Sequence, residues 1–299
     1  MSSSISKLRV RLLRGLLAAA SRFAPGPTGR YLARRFVTPG STGRRQAAAI
    51  VAMLDDVQRQ TVRIDGCDIA VYAWGNPGEQ PYVLLSHGWA SYGMRFVAWV
   101  PQLRALGYAV VAFDQAAHGL SSGKISNLPH FAKILTHVGV RFGHPAALIG
   151  HSLGTAAAVF ADDAAWRPAR YVLIAPLIAP AGSAQWQFAA AGIAPAAFAP
   201  FENWLIQLTG KRFADFDASP RLPRFDRPAL IIHDRRDRET PWEEGALFAA
   251  LWPNAQLFTT EGLGHNRMVD HPSVIARALE FIGTATQGSQ AFPPHVPLT

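Results

Sequence analysis

Residues 145–160 read Pro-Ala-Ala-Leu-Ile-Gly-His-Ser-Leu-Gly-Thr-Ala-Ala-Ala-Val-Phe, and no other stretch constrains the fold as strongly. The apolar run ending at Leu148-Ile149 reads as a buried strand, and Thr155 onward is small and helix-prone. Gly150-His151-Ser152-Leu153-Gly154 lies between them, a Gly-x-Ser-x-Gly pentapeptide. A serine in so sharp a strand-to-helix turn needs close backbone approach on both sides. Glycine two positions before and after relieves that crowding, having no Cβ to clash. The turn exposes the Ser152 hydroxyl and sets the Leu153 N–H at a helix start, where the local field favours an oxyanion.

The rest of the chain alternates strand-like and helix-like runs around this turn. Strands are expected at Thr61–Ile64, Ile69–Trp74, Tyr82–Ser86, Ala109–Phe113, Ala146–Ile149, Tyr171–Ile174, Ala229–His233 and Gln256–Thr259. Helical patterns fall at about 94–106, 128–141, 153–165, 241–252 and 272–282. Two strands able to pair antiparallel, followed by β–α alternation, imply an α/β fold with a mostly parallel sheet of about eight strands and helices on both faces. In such sheets chemistry sits beyond the C-terminal strand ends. The polar residues cluster there: His87-Gly88-Trp89, Asp114 to Ser121, Ser152, His233 to Pro241, and Glu261 to Asn266.

A serine nucleophile needs a base to take its proton and an acid to orient that base. The chain supplies Ser, Asp and His in that order, each just past a strand end. Asp234, Asp237 and Glu239 are all candidates for the acid, and His265 and His271 for the base. The histidines show no paired ligand spacing and Cys67 is the one cysteine, so neither a metal site nor an intrachain disulfide is expected. Cys67, in a strand-like run, reads as core filler.

The net charge of +9 suggests a nucleic-acid binder until its distribution is considered. Residues 1–45 carry ten Lys/Arg and no acid, leaving 19 basic and 20 acidic residues elsewhere. A near-neutral body with a basic arm excludes a globally basic nucleic-acid-binding surface.

These motifs resemble the α/β-hydrolase superfamily, close to bacterial serine esterases of the single-domain type. The likeness rests on His87-Gly88-Trp89, Asp114…His118-Gly119-Leu120-Ser121, Gly150–Gly154, Asp237…Pro241 and Gly262–His265, and covers about residues 60–283. It implies Ser152 as nucleophile, His265 as general base and Asp237 as triad acid, the last because the family places its acid four residues before a proline. It also implies an oxyanion hole from the Leu153 and Trp89 N–H groups. His271, followed by Pro272, reads instead as a helix start. His151 is expected to turn into packing, and His87 and His118 to brace loops. The family inserts its cap where this chain runs from about 177 to 227, here a short helical one. Its Trp186, Phe188 and Trp204 are candidates for an apolar substrate pocket, against the plainer reading of helix packing.

The expected activity is that of a carboxylesterase or lipase-like hydrolase acting on an apolar ester, with no cofactor. An acyltransferase using the same residues, and a non-catalytic small-molecule binder on the same scaffold, stay open. The dehalogenase and epoxide hydrolase chemistry of this fold uses an aspartate nucleophile, which Ser152 excludes.

The expected organisation is a basic arm and linker over 1–59, the hydrolase domain over 60–283 and a disordered tail over 284–299. Residues 5–20 are helix-like and roughly amphipathic. They suit peripheral contact with an anionic membrane, against the plainer reading of a helical arm packed on the body or a floppy one. The expected location is the cytoplasm, with the inner membrane face as the site of any such contact.

Overall fold

The computed structural model describes residues 2–161 and 166–283, without the side chains of residues 2–11. The expected tail from 284 and the end of the helical pattern at 162–165 lie outside the described residues. In chain order the helices are α1 (Ser2–Phe23), α2 (Pro25–Phe36), α3 (Thr42–Val51), α4 (Val100–Ala105), α5 (Leu128–Phe142), α6 (Leu153–Phe160), α7 (Pro180–Ala190), α8 (Phe198–Thr209), α9 (Trp242–Leu251), α10 (Gly264–Arg267) and α11 (Pro272–Gly283). The strands are β1 (Gln58–Ile64), β2 (Cys67–Trp74), β3 (Tyr82–Ser86), β4 (Ala109–Phe113), β5 (Ala147–His151), β6 (Tyr171–Ile174), β7 (Ala229–Asp234) and β8 (Ala255–Thr260). All eight expected strands form, with ends displaced by at most three residues.

They make one sheet in the order β1-β2-β4-β3-β5-β6-β7-β8. β1 pairs antiparallel with β2, and β2 antiparallel with β4; every later pairing is parallel. β3, β4, β5 and β6 are buried at every residue, as strands covered on both faces must be. Register sets the site: Ser86 pairs with Gly150 at the C-terminal end of β3 and β5, so the segments leaving those strands emerge side by side. α5 starts where the Asn127 Oδ1 accepts the His130 N–H at 2.9 Å, with Pro129 in the first turn, where its missing N–H is not needed.

The chain divides into two compact units, one holding the residues up to Thr38 with Ala179–Ala218, the other Pro39–Ile178 and the residues from Ser219. The larger unit contains the whole sheet. Its core joins sheet residues such as Val83, Leu85 and Ile149 to Phe96, Trp99 and Phe281. The Trp99 Nε1–H donates to the Val269 carbonyl at 2.6 Å.

The smaller unit is helical. Within the stretch 1–59 expected as arm and linker, α2 forms here, and α3 begins in the larger unit. Pro25 and Pro27 lie in the first turn of α2, where proline starts a helix and does not break one. α2 crosses α8 closely at Gly29, where a Cβ would run into the Ala197 carbonyl and the Phe201 backbone. Phe36, Phe188 and Phe213 surround the buried Phe201 at centroid distances of 5.4, 4.8 and 5.8 Å. The Ser21 hydroxyl, at the end of α1, donates to the Ala18 carbonyl at 2.7 Å and accepts the Ala194 N–H at 2.8 Å.

Candidate active site

The turn after β5 has the strained geometry its sequence demands. Ser152 sits at φ 50°, ψ −120°, a backbone region that side chains rarely occupy. Its N–H donates to the Ile174 carbonyl at 2.9 Å, and its carbonyl accepts the Thr155 hydroxyl at 2.6 Å, fixing the turn from both sides. Gly154 lets α6 close on β3, since a Cβ there would run into the Ser86 and His87 carbonyl oxygens. A Cβ at Gly88 would approach the Ser152 Cβ and the His151 carbonyl oxygen, each to 3.0 Å. The backbone before Trp89 therefore passes directly beside Ser152. Trp89 and Leu153 are both half-buried.

Asp237 and His265, 28 residues apart, meet across the ends of β7 and β8. The His265 Nδ1 lies 2.7 Å from the Asp237 Oδ2, and both side chains are almost wholly buried. The other carboxylate oxygen of Asp237 accepts the Glu239 N–H at 2.8 Å and the Thr240 N–H at 2.9 Å. Burial pushes this carboxyl up, but hydrogen bonds from His233, His265 and the Thr240 N–H outweigh it and hold it well below the usual carboxylate range.

His233 belongs to the same cluster. Its Nε2 lies 3.0 Å from the Thr240 carbonyl oxygen, which can only accept, so Nε2 carries the proton. The same N–H faces the Asp237 Oδ2 at 3.4 Å. Sequence reasoning did not single out His233 as part of the site; its place as the last but one residue of β7, four before Asp237, was the available signal.

The other acids take different partners. Asp234 accepts the Arg236 and Gly262 N–H groups on Oδ1, and the Thr260 hydroxyl and Leu263 N–H on Oδ2. It ties the loop after β7 to the loop after β8. Glu239 accepts from the Asn266 side chain at 2.7 Å. His271 contacts the Ser273 hydroxyl at the start of α11.

His151 is buried, as expected of a packed histidine, yet it packs on the site itself. Its ring lies 4.8 Å from that of His265, and its Nε2 donates to the His265 carbonyl at 3.1 Å. Residue 151 thus links the Ser152 turn to the His265 loop. Burial pulls its pKa down to about 3, so it stays neutral. His87 donates from Nδ1 to the Gly88 carbonyl at 2.7 Å and accepts the Gln115 N–H on Nε2 at 3.0 Å. Burial takes His87 to about 4 and His118 to about 3. His118 bonds the Ala116 carbonyl and packs edge-on against Trp89 at 5.0 Å. Asp114 braces this corner: Gly93 N–H, Leu120 N–H and Tyr72 hydroxyl each donate to it at 2.7 Å. Burial nevertheless raises its pKa.

The three aromatic pocket candidates lie in the helical unit. Trp186 is exposed, and the Phe188 ring packs on Phe198 and Phe201. Trp204 borders a groove of about 320 Å³ with Arg30, Pro200 and Asn203. Helix packing accounts for Phe188. Cys67, expected as core filler, is only half-buried at the edge of β2.

A sheet of this order carrying a strained serine turn after β5 and a bonded Asp–His pair beyond β7 and β8 defines the class. The model of the alpha/beta hydrolase family matches residues 83–278, and the chain belongs to that family. A protein of Pseudomonas syringae pv. syringae (strain B728a), provisionally named carbamate hydrolase RutD, is 37% identical over 70 residues, 23% of this chain. The chain spans about a quarter (27%) of the length of that relative. Among solved structures, a bacterial membrane phospholipase A superposes over 97% of this chain and 100% of its own, with TM-score 0.59 and 19% identity. An esterase from Thermogutta terrifontis covers 75% of this chain and 97% of its own, with TM-score 0.55 and 17% identity. At these identities the structural likeness is one of fold.

Proposed function

We propose that the protein is a serine hydrolase that cleaves a carboxylic ester through an acyl-enzyme intermediate. The observation that carries the reading is the 2.7 Å contact between the Asp237 Oδ2 and the His265 Nδ1, in a fold whose Ser152 turn is linked to the His265 loop through His151. A carboxylate there fixes the proton on Nδ1 and leaves Nε2 as the base. The Ser152 Oγ attacks the ester carbonyl carbon while the His265 Nε2 takes its proton. The Leu153 and Trp89 N–H groups hold the tetrahedral oxyanion. The alcohol departs with the proton from His265, and water activated by the same nitrogen releases the acid.

The apolar character of the ester is proposed from the sequence of the insert, whose Trp186 and Phe198 lie among few charges. The names of the esterase and phospholipase relatives agree with ester chemistry; the carbamate hydrolase name points to a neighbouring carbonyl substrate. The test is hydrolysis of p-nitrophenyl esters of increasing acyl length by the full chain. Turnover that is lost in Ser152→Ala supports the reading. No turnover of any ester, with a carbamate or amide cleaved instead, would replace the substrate class. Ester product formed only with an added acceptor alcohol would make the protein an acyltransferase.

A further inference from the structure

α1 turns an apolar side to solvent. Leu12, Leu16 and Phe23 are 60%, 69% and 89% exposed. At 100° per residue these positions fall in one stripe with Ala19 and Ala20, and Leu13 borders it. The opposite side carries the packing: Ser21 is buried and bonded to Ala194, and Ala18 approaches Gly192. A helix lying on a protein against water should show the reverse pattern, with its outer side polar.

The same unit holds almost all of the excess charge. It contains ten Lys/Arg against the three acids Glu202, Asp215 and Asp217, while the rest of the chain holds 19 and 17. α2 buries Thr28, Gly29 and Ala33 and leaves Arg30, Tyr31, Arg34 and Arg35 exposed. Among the described residues, none of Arg14, Arg22, Arg30, Arg34 and Arg35 is in an ion pair.

We propose that α1 and α2 form a docking surface for an anionic phospholipid bilayer, with Leu12, Leu16 and Phe23 entering the boundary between headgroups and acyl chains and the arginines meeting phosphates. Exposed leucines on one helix and arginines outside any ion pair on the next are what an interfacial surface requires. A second copy of the chain fits less well, because two such faces bring like charges together. α1 lies in the interface and does not cross it: Arg14 and Arg22 interrupt its apolar run, and no described helix is long and apolar enough to span a membrane. The proposal stands whether or not Ser152 is the nucleophile.

The experiment is flotation of the full chain with vesicles of phosphatidylcholine alone and of phosphatidylcholine with 30 mol% phosphatidylglycerol, at low and high salt. Binding to the anionic vesicles is expected to exceed binding to the neutral ones by at least about tenfold and to fall in 0.5 M NaCl. Two variants separate the terms. Leu16→Glu/Phe23→Glu should abolish flotation, and Arg30→Gln/Arg34→Gln/Arg35→Gln should weaken it by at least about tenfold. Both should keep the wild-type circular dichroism spectrum, so that lost flotation reports the surface and not the fold. Equal binding to both vesicle types, or binding untouched by either variant, overturns the proposal. So does an absence of binding, whether the chain then sediments as a monomer or as a dimer that Leu16→Glu dissociates.

Discussion

His233 turns its Nε2–H toward the Asp237 Oδ2 at 3.4 Å, the same oxygen that the His265 Nδ1 contacts at 2.7 Å. Two imidazoles on one carboxylate oxygen keep Asp237 ionised without competing for its proton, since His233 is held in one tautomer by the Thr240 carbonyl. His233 is thus a positioning residue for the proposed base. His233→Gln should lower kcat by about tenfold with KM nearly unchanged. Asp237→Asn should remove about 10³–10⁴ of kcat, because the wrong tautomer of His265 is then favoured. Equal losses for the two variants would assign His233 a larger part than this.

Asp234 and Asp237 should separate cleanly. Asp234 accepts four hydrogen bonds from the loops after β7 and β8. Asp234→Ala leaves those donors without their acceptor and should cost about 2–4 kcal/mol of stability, read as a lowered urea midpoint. Asp237→Asn should lower the midpoint as well, since the stabilised charge is lost, but its distinguishing defect should be the loss of most turnover, which the folded Asp234→Ala protein keeps. The opposite assignment would show as the opposite pairing of defects.

Most of the sheet and the serine turn are legible in the sequence because burial on both faces writes continuous apolar runs, and the pentapeptide marks one strand end. The helices over 25–36 and 42–51 are not, because Pro25, Pro27, Gly26 and Gly29 read as breakers. Only contact with α8 shows that Gly29 is a packing glycine. Residue type alone does not choose among Asp234, Asp237 and Glu239: Asp234 ends β7, the other two follow it within five residues, and apart from the family's proline spacing only their partners separate them. His151 reads as a packed core residue for the same reason, and nothing local marks His233, among the polar residues past its strand, as a partner of Asp237. Their contacts come from loops 114 and 7 residues away.

Gly154→Ala tests the close approach of α6 to β3. The added Cβ meets two backbone carbonyls, which cannot swing aside as a side chain would. A loss of about 1–3 kcal/mol is expected, together with reduced labelling of Ser152. A variant as stable and as active as wild type would contradict the described packing.

Stability should fall with acid earlier than carboxylate titration alone predicts. His87, His118 and His151 are held neutral by burial, at about 4, 3 and 3, while in the unfolded chain they take up protons near pH 6.5. Between those values the unfolded state binds more protons, so stability rises with pH and is lost as pH drops from about 6.5 toward 4. The loss is up to about 1.4 kcal/mol per pH unit for each histidine. Asp237 adds its own loss only below about pH 4, where the unfolded carboxylate begins to protonate while the folded one does not. Urea midpoints at pH 7, 6 and 5 check this, and a flat profile over that range would contradict it.

The proposed mechanism requires Ser152 to be an activated nucleophile, and intact-mass labelling with a fluorophosphonate reads this by comparing wild type with Ser152→Ala and His265→Ala. A single adduct on wild type, absent from Ser152→Ala and much slower to form on His265→Ala, is the predicted result. No adduct on the folded wild type, or one that persists in Ser152→Ala, would contradict it and favour a binding protein built on the hydrolase fold.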